Sequence, residues 1–128
     1  RDEVFKIMEY VGLAPYAKLQ AGSLSHGQKQ WLAISMLVAQ SPDIILLDEP
    51  VAGLTDDETS KTADLIKSLA GEHTVVVIEH DMDLIEKICD PVIVMAEGSV
   101  LFEGKFADVK SNEEVIEAYL GRGIKSKK

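Results

Sequence analysis

The segment Ile44-Ile45-Leu46-Leu47-Asp48-Glu49-Pro50 constrains this chain more than any other stretch. Four large aliphatics followed at once by two acids and a proline describe a short buried strand with carboxylates at its C-terminal end. Open α/β sheets bind their ligands in the crevice beyond that end of their strands. A second aliphatic run, Val75-Val76-Val77-Ile78, is followed in the same way by Glu79-His80-Asp81. It is β-branched and lacks polar alternation, so it reads as a strand covered on both faces.

Helices fit between and around these runs. Val4, Ile7, Met8 and Val11 recur at helical spacing, predicting a helix over 2–11 that Gly12 ends and Pro15 keeps from continuing. Residues 16–23 read as a loop. Ser25 and Gln28 make a capping box for a helix over 26–40, apolar on most faces and so expected to be buried on several sides. Thr55 and Glu58 make a second box, for a helix over 56–70 that buries Ala63, Leu65, Ile66 and Leu69. A short helix carries Met82, Ile85 and Ile88. Strands over 92–96 and 99–103 are joined by Glu97-Gly98, a two-residue hairpin signal. Residues 105–110 read as a turn or short helix. Ser111 and Glu114 suggest a third capping box for a helix over 112–120 ended by Gly121, followed by a basic tail. This order predicts an α/β fold with a mainly parallel sheet and a late antiparallel hairpin.

Composition narrows the partners. A chain of 128 residues holds one domain with a real core. The net charge of -9 argues against broad electrostatic binding to nucleic acid but leaves a nucleotide site open. One cysteine, Cys89, offers no disulfide framework and fits a reducing compartment. No apolar run approaches ~20 residues, so none spans a bilayer, and no signal peptide is visible. The chain opens at Arg1, in helix-like sequence and without an initiator methionine, and so reads as a piece of a longer one.

Three places carry chemistry. Asp48-Glu49 at a strand end suits a Mg²⁺-nucleotide site, one acid holding the metal or its water and the other polarising an attacking water. Two solvated turn acids are the plainer alternative. His80, at the matching end of the neighbouring run, is placed to hydrogen-bond a terminal phosphate, or is an ordinary loop histidine. Ser25-His26-Gly27 opens a helix and offers backbone N–H groups to an anion; capping alone also explains it. His73 and Cys89 lack ligand-like spacing, and Trp31 reads as core or packing surface.

Together these motifs resemble the C-terminal part of an ABC-type ATPase. LSHGQ (24–28) is similar to that family's signature LSGGQ, and IILLDEP (44–50) to its Walker B strand. VAGLT (51–55) stands where its D-loop lies, and VIEHD (77–81) where its switch histidine lies. The string LSHGQKQW with DEPVAGLTDDE resembles the branch serving uptake of branched-chain amino acids, amides and urea, urea-importer subunits above all. The resemblance implies ATP and Mg²⁺ as cofactors. It implies Asp48 as the Mg²⁺ residue, Glu49 as general base and His80 as a γ-phosphate contact. Ser25, Gly27 and Gln28 are implied to reach ATP on the opposite subunit, with Gly53 and Leu54 at the subunit contact. It further implies a second ATPase subunit, identical or not, transmembrane permease subunits, no nucleic acid, and a cytoplasmic place on the inner face of the membrane. Residues 1–41 would then be the end of a helical subdomain with the signature helix, and 42–128 the remaining catalytic core. Three positions depart from the family pattern: His26 for a glycine, Trp31 where arginine is common, and Thr55 where aspartate is common.

No G-x-x-x-x-G-K-[ST] occurs in these 128 residues, so the family's Gly-rich phosphate cradle is not among them. The expectation is an ATP hydrolase in the whole protein and an inactive isolated piece. A non-catalytic dimerisation or regulatory piece is the alternative, and a DNA-repair or chromosome ATPase a remoter one, since neither coiled coil nor basic face is present. In the family fold the cradle's strand lies between the strand leading to His80 and that at 92–96. The freed edges are therefore expected to pair directly, to meet a second copy, or to be covered by further chain.

Overall fold

The computed structural model describes residues 2–120, which form two compact units divided between His80 and Asp81. The first unit runs α1 (Asp2–Tyr10), α2 (His26–Val38), β1 (Ile44–Asp48), α3 (Asp56–Leu69) and β2 (Thr74–Ile78). Single 3₁₀ turns at Ala14–Tyr16 and Ala21–Ser23 occupy the expected loop. Gly12 lies in the left-handed region at φ 81° and ends the first helix as its sequence suggests. Both long-helix capping boxes form with both reciprocal bonds, at Ser25/Gln28 and Thr55/Glu58. Each satisfies two backbone N–H groups that a helix start leaves without partners.

β1 and β2 pair in parallel, with Ile44 opposite Thr74, Leu46 opposite Val76 and Asp48 opposite Ile78. A strand's side chains alternate between faces, so one face of this pair is set by Ile45 and Leu47 and the other by Ile44 and Leu46. Ile45 and Leu47 are buried at 2% and 5% exposure, whereas Ile44 and Leu46 stand at 60% and 70%. Burying each of the first two stabilises by about 1.5–3 kcal/mol. Both strands were expected to be covered throughout. Instead Val76 and Ile78 are exposed, and Val75 and Val77 are half-buried. α3 packs against β2, and among the described residues of this unit the second face has no cover.

α2 departs from expectation in the same sense. Gly27, Trp31, Ile34 and Ser35 are buried along one stripe, while Met36 is exposed. One helical stripe suffices where α2 meets α1 and α3. Its centre is polar: the Trp31 Nε1–H donates to Thr62 Oγ1 at 2.8 Å, and that hydroxyl donates onward to the Glu58 carbonyl at 2.7 Å. Thr62 is fully buried, so this chain of bonds ties α2 to α3 in one register. His73 Nδ1 meets the Pro42 carbonyl at 2.5 Å, a structural contact that agrees with its lack of ligand spacing.

The second unit holds α4 (Met82–Ile88), β3 (Val92–Ala96), β4 (Ser99–Gly104), α5 (Phe106–Ser111) and α6 (Glu113–Val115), which continues as a π-helical turn through Leu120. Val92, Val109 and Val115 form its core, with Ile85, Val94, Leu101, Phe102 and Phe106 packed around them. Glu97 and Gly98, at φ 51° and 79°, make the left-handed two-residue turn that joins the antiparallel strands. The pairing slips by one residue between Val94 and Met95, leaving Leu101 as the extra residue of a bulge. The third capping box does not form. Ser111 closes α5 and donates its hydroxyl back to the Asp108 carbonyl, while Asn112 caps α6 by accepting from the Glu114 and Val115 N–H groups. Gly121 and the basic tail lie outside the described residues. Among the described residues the strands form two two-stranded sheets, β1–β2 in the first unit and β3–β4 in the second.

The buried Trp31–Thr62 bond yields a first prediction. Thr62→Val keeps shape but leaves a buried indole N–H without an acceptor, costing about 1–3 kcal/mol in urea denaturation. Adding Trp31→Phe removes the orphaned donor, so the pair of changes costs less than the sum of the two.

Candidate functional site

Both acids of the 44–50 segment sit where β1 runs out. Asp48 is the last residue of β1, exposed and opposite Ile78. Glu49 follows with φ 47°, a left-handed backbone that a residue bearing a Cβ adopts only under local constraint. The constraint is visible. The Glu49 N–H donates to the Ile78 carbonyl at 2.8 Å, carrying the parallel ladder one step past the strand, and its own carbonyl accepts from the Ala52 N–H at 3.2 Å. Pro50 and Val51 bury themselves behind it. This geometry turns the Glu49 carboxylate toward the end of β2. His80 Nδ1 lies 3.0 Å from Glu49 Oε1. Because a carboxylate only accepts, the ring nitrogen is the donor, and Nε2 is left as the imidazole's other functional edge. The pair is solvent-accessible, with side-chain exposures of 78% for His80 and 48% for Glu49.

A second cluster forms at the start of α2. The Ser25 backbone N–H donates to Gln28 Oε1 at 2.9 Å, and the Gln28 N–H donates to Ser25 Oγ at 3.1 Å. His26 reaches across to the loop before α3, its Nε2–H donating to the Ala52 carbonyl at 3.1 Å. Gly53, at φ 75°, sits against that imidazole: a Cβ there would lie 3.4 Å from Nε2. Half-buried Leu54 completes the turn, its N–H donating to the Val51 carbonyl. The glycine-to-histidine departure at position 26 is therefore a structural contact, and its role was not legible from sequence alone.

Glu58 is the residue that sequence reasoning undervalued. Besides capping α3 through Oε1 and the Thr55 N–H at 3.2 Å, it places Oε2 3.1 Å from Ser25 Oγ, which donates to it. The hydrogen bond from the Thr55 N–H holds the carboxyl below its ordinary range against the opposing effect of burial, with smaller lowering contributions from the Ser25 and Thr55 hydroxyls and the Gly27 backbone. A carboxylate held low contributes stability that is present above its ordinary pKa and lost as pH falls through the lowered one. A Cβ at Gly27 would fall 2.1 Å from Glu58 Oε2, so a side chain there would have to push that carboxylate aside. The contact spans thirty-three positions of sequence, and only the fold reveals it.

Asp48, Glu49 and His80 are thus brought to one strand end, and Ser25, Gly27 and Gln28 to one helix start. Among the described residues no cluster of three or more His, Cys, Asp or Glu side chains forms a ready metal cage. A single exposed carboxylate beside a second one nevertheless suits Mg²⁺, which takes one or two carboxylates and fills its other positions with water and phosphate oxygens.

Residues 1–52 match the family described as ABC transporter, and residues 99–125 match that described as branched-chain amino acid ATP-binding cassette transporter. The chain is 41% identical over 116 residues to the high-affinity branched-chain amino acid transport ATP-binding protein BraF of Pseudomonas aeruginosa, covering 89% of this chain and 46% of BraF. It is 39% identical over 122 residues to LivG of Salmonella typhimurium, a protein of the same description, covering 94% of this chain and 48% of LivG. The crystal structure of the ADP conformation of MJ1267, an ATP-binding cassette of an ABC transporter, superposes with a TM-score of 0.84 at 30% identity, covering 94% of this chain and 49% of that one. The chain spans about half the length of these proteins.

The backbone at Glu49 supports a second prediction. Replacing a left-handed non-glycine residue by glycine removes roughly 1–2 kcal/mol of steric strain and adds about 0.5–1 kcal/mol of chain entropy cost. Glu49→Gly should therefore leave the thermal midpoint unchanged or raise it. A clear fall would show that the side chain's contact with His80 outweighs the strain.

Proposed function

From the premise that the chain belongs to the ABC transporter ATP-binding family, we propose that it supplies the water-activating half of an ATP hydrolysis site in an importer subunit. The observation that carries this reading is the Glu49–His80 contact at the ends of two parallel strands. Glu49 acts as general base: its carboxylate accepts the proton of a water poised for attack on the γ-phosphate. His80 holds that carboxylate through Nδ1 and turns its other edge to the phosphate, stabilising charge as it develops. Asp48 would hold Mg²⁺, and the ion, when bound, would draw charge from the phosphate oxygens. Ser25, Gly27 and Gln28 serve a different nucleotide, offering the α2 N-terminus to ATP held by the opposite subunit, with Gly53 and Leu54 at the contact between subunits.

The partners follow from this reading: a second ATPase subunit and membrane permease subunits, reached at the inner face of the membrane. BraF and LivG carry branched-chain amino acid transport in their descriptions. A branched-chain amino acid, a short amide or urea is the solute class we propose, with the LSHGQKQW string favouring urea. No helix among the described residues is long and apolar enough to cross a membrane. The 128 residues contain no G-x-x-x-x-G-K-[ST], which favours a second reading in which this polypeptide alone is a dimerisation or regulatory piece.

Two measurements test the proposal. In a complete subunit carrying this stretch, Glu49→Gln should lower kcat by about 10²–10⁴ with ATP binding retained. Equal turnover in the variant would remove Glu49 from the base role. The 128-residue polypeptide itself should show no ATP turnover, and turnover that Glu49→Gln abolishes would overturn that.

A further inference from the structure

Ser25 and Gly27 already hold an anion, and it is the protein's own. Glu58 Oε2 accepts the Ser25 hydroxyl at 3.1 Å and lies directly against the Gly27 backbone. Nor is the approach a loose one, because Gly27 is buried in the first turn of α2 and a Cβ at that position would overlap Oε2. Phosphate and carboxylate oxygens compete for the same donors, and two anions on one helix start repel each other. The other oxygen, Oε1, is anchored separately to the Thr55 N–H at 3.2 Å. Rotating the carboxylate about that anchor releases Ser25 and Gly27 while keeping α3 capped.

We propose that Glu58 is an internal plug, a carboxylate that occupies the α2 anion seat until a phosphate from an opposing subunit displaces it. The proposal rests on the reading above that Ser25 and Gly27 receive that phosphate. Its consequence is a threshold. Engagement of ATP in trans must first remove a bound anion, so the resting chain resists closing on a partner at low nucleotide. The same displacement leaves the His26–Ala52 contact as the remaining tie between the start of α2 and the loop before α3.

The test uses a complete subunit carrying this stretch, in a Glu49→Gln background that slows hydrolysis. ATP-driven dimerisation is followed by analytical ultracentrifugation. Glu58→Ala and the gentler Glu58→Gln, which keeps an acceptor oxygen for the Thr55 cap, should lower the half-maximal ATP concentration by roughly two- to fivefold, the weight of one accessible charged contact. A Glu58 that merely caps α3 predicts instead a lower melting temperature with an unchanged or higher ATP midpoint, and that result overturns the plug. Ser25→Arg separates the two levels of the argument. If it abolishes dimerisation while the Glu58 variants leave the midpoint unmoved, only the plug falls. If Ser25→Arg has no effect, or if the Glu49→Gln parent does not dimerise with ATP, the in-trans reading falls and takes the plug with it.

Discussion

The parallel register of β1 on β2 is the constraint from which the site follows. With Asp48 opposite Ile78, the next ladder bond runs from the Glu49 N–H to the Ile78 carbonyl, and two residues later the chain reaches His80. A shift of one residue would turn every side chain of the strand to the other face and part the carboxylate from the imidazole. The hydrophobic pattern makes that shift expensive, since it would expose Ile45 and Leu47 and drive Ile44 and Leu46 into the helices. Burial of two aliphatic side chains thus fixes where the Glu49 carboxylate stands. The left-handed turn at Glu49 is a local cost tolerated because packing and ladder on both sides leave the chain no alternative.

The second layer of organisation is polar and connects α2 to α3 at two heights. In the interior, Trp31, Thr62 and the Glu58 carbonyl form one continuous run of hydrogen bonds. At the helix starts, the Ser25 hydroxyl, the Glu58 carboxylate and the Thr55 N–H form another. Glu58 joins them, with its backbone in the buried run and its carboxylate in the accessible one. The buried run has every reason to be permanent, because breaking it strands polar atoms away from water. Its accessible counterpart has water as an alternative partner and is correspondingly easier to open.

Much of this was legible in the sequence, for identifiable reasons. Strand and helix limits at 44–48, 82–88 and 92–96 follow from aliphatic runs, turn residues and helical spacing, all of which are local signals. That Asp48-Glu49 and His80 end neighbouring strands was readable because two runs of like composition close on polar residues, whereas the bond between Glu49 and His80 was not. Burial was less legible. An unbroken aliphatic run looks the same whether one face or two are covered, so Val76 and Ile78 misled. Ser111 misled because S-x-x-E is satisfied in sequence by a residue that ends the previous helix, one position before the true cap at Asn112. The contacts of Glu58 with Ser25 and of His26 with Ala52 join positions far apart in the chain, and no local pattern encodes them. Family resemblance supplied roles for the motif residues but none for either of these contacts.

Trp31 is the one tryptophan in the chain, and it sits at the joint between α2 and α3 with its indole N–H committed to Thr62. The molecule therefore carries its own optical gauge at the place where the two helices are tied. Emission from a buried, hydrogen-bonded indole moves to longer wavelength when water reaches it. Loosening of the joint is thus visible in the intrinsic fluorescence of the unlabelled protein, against the weaker signal of its three tyrosines.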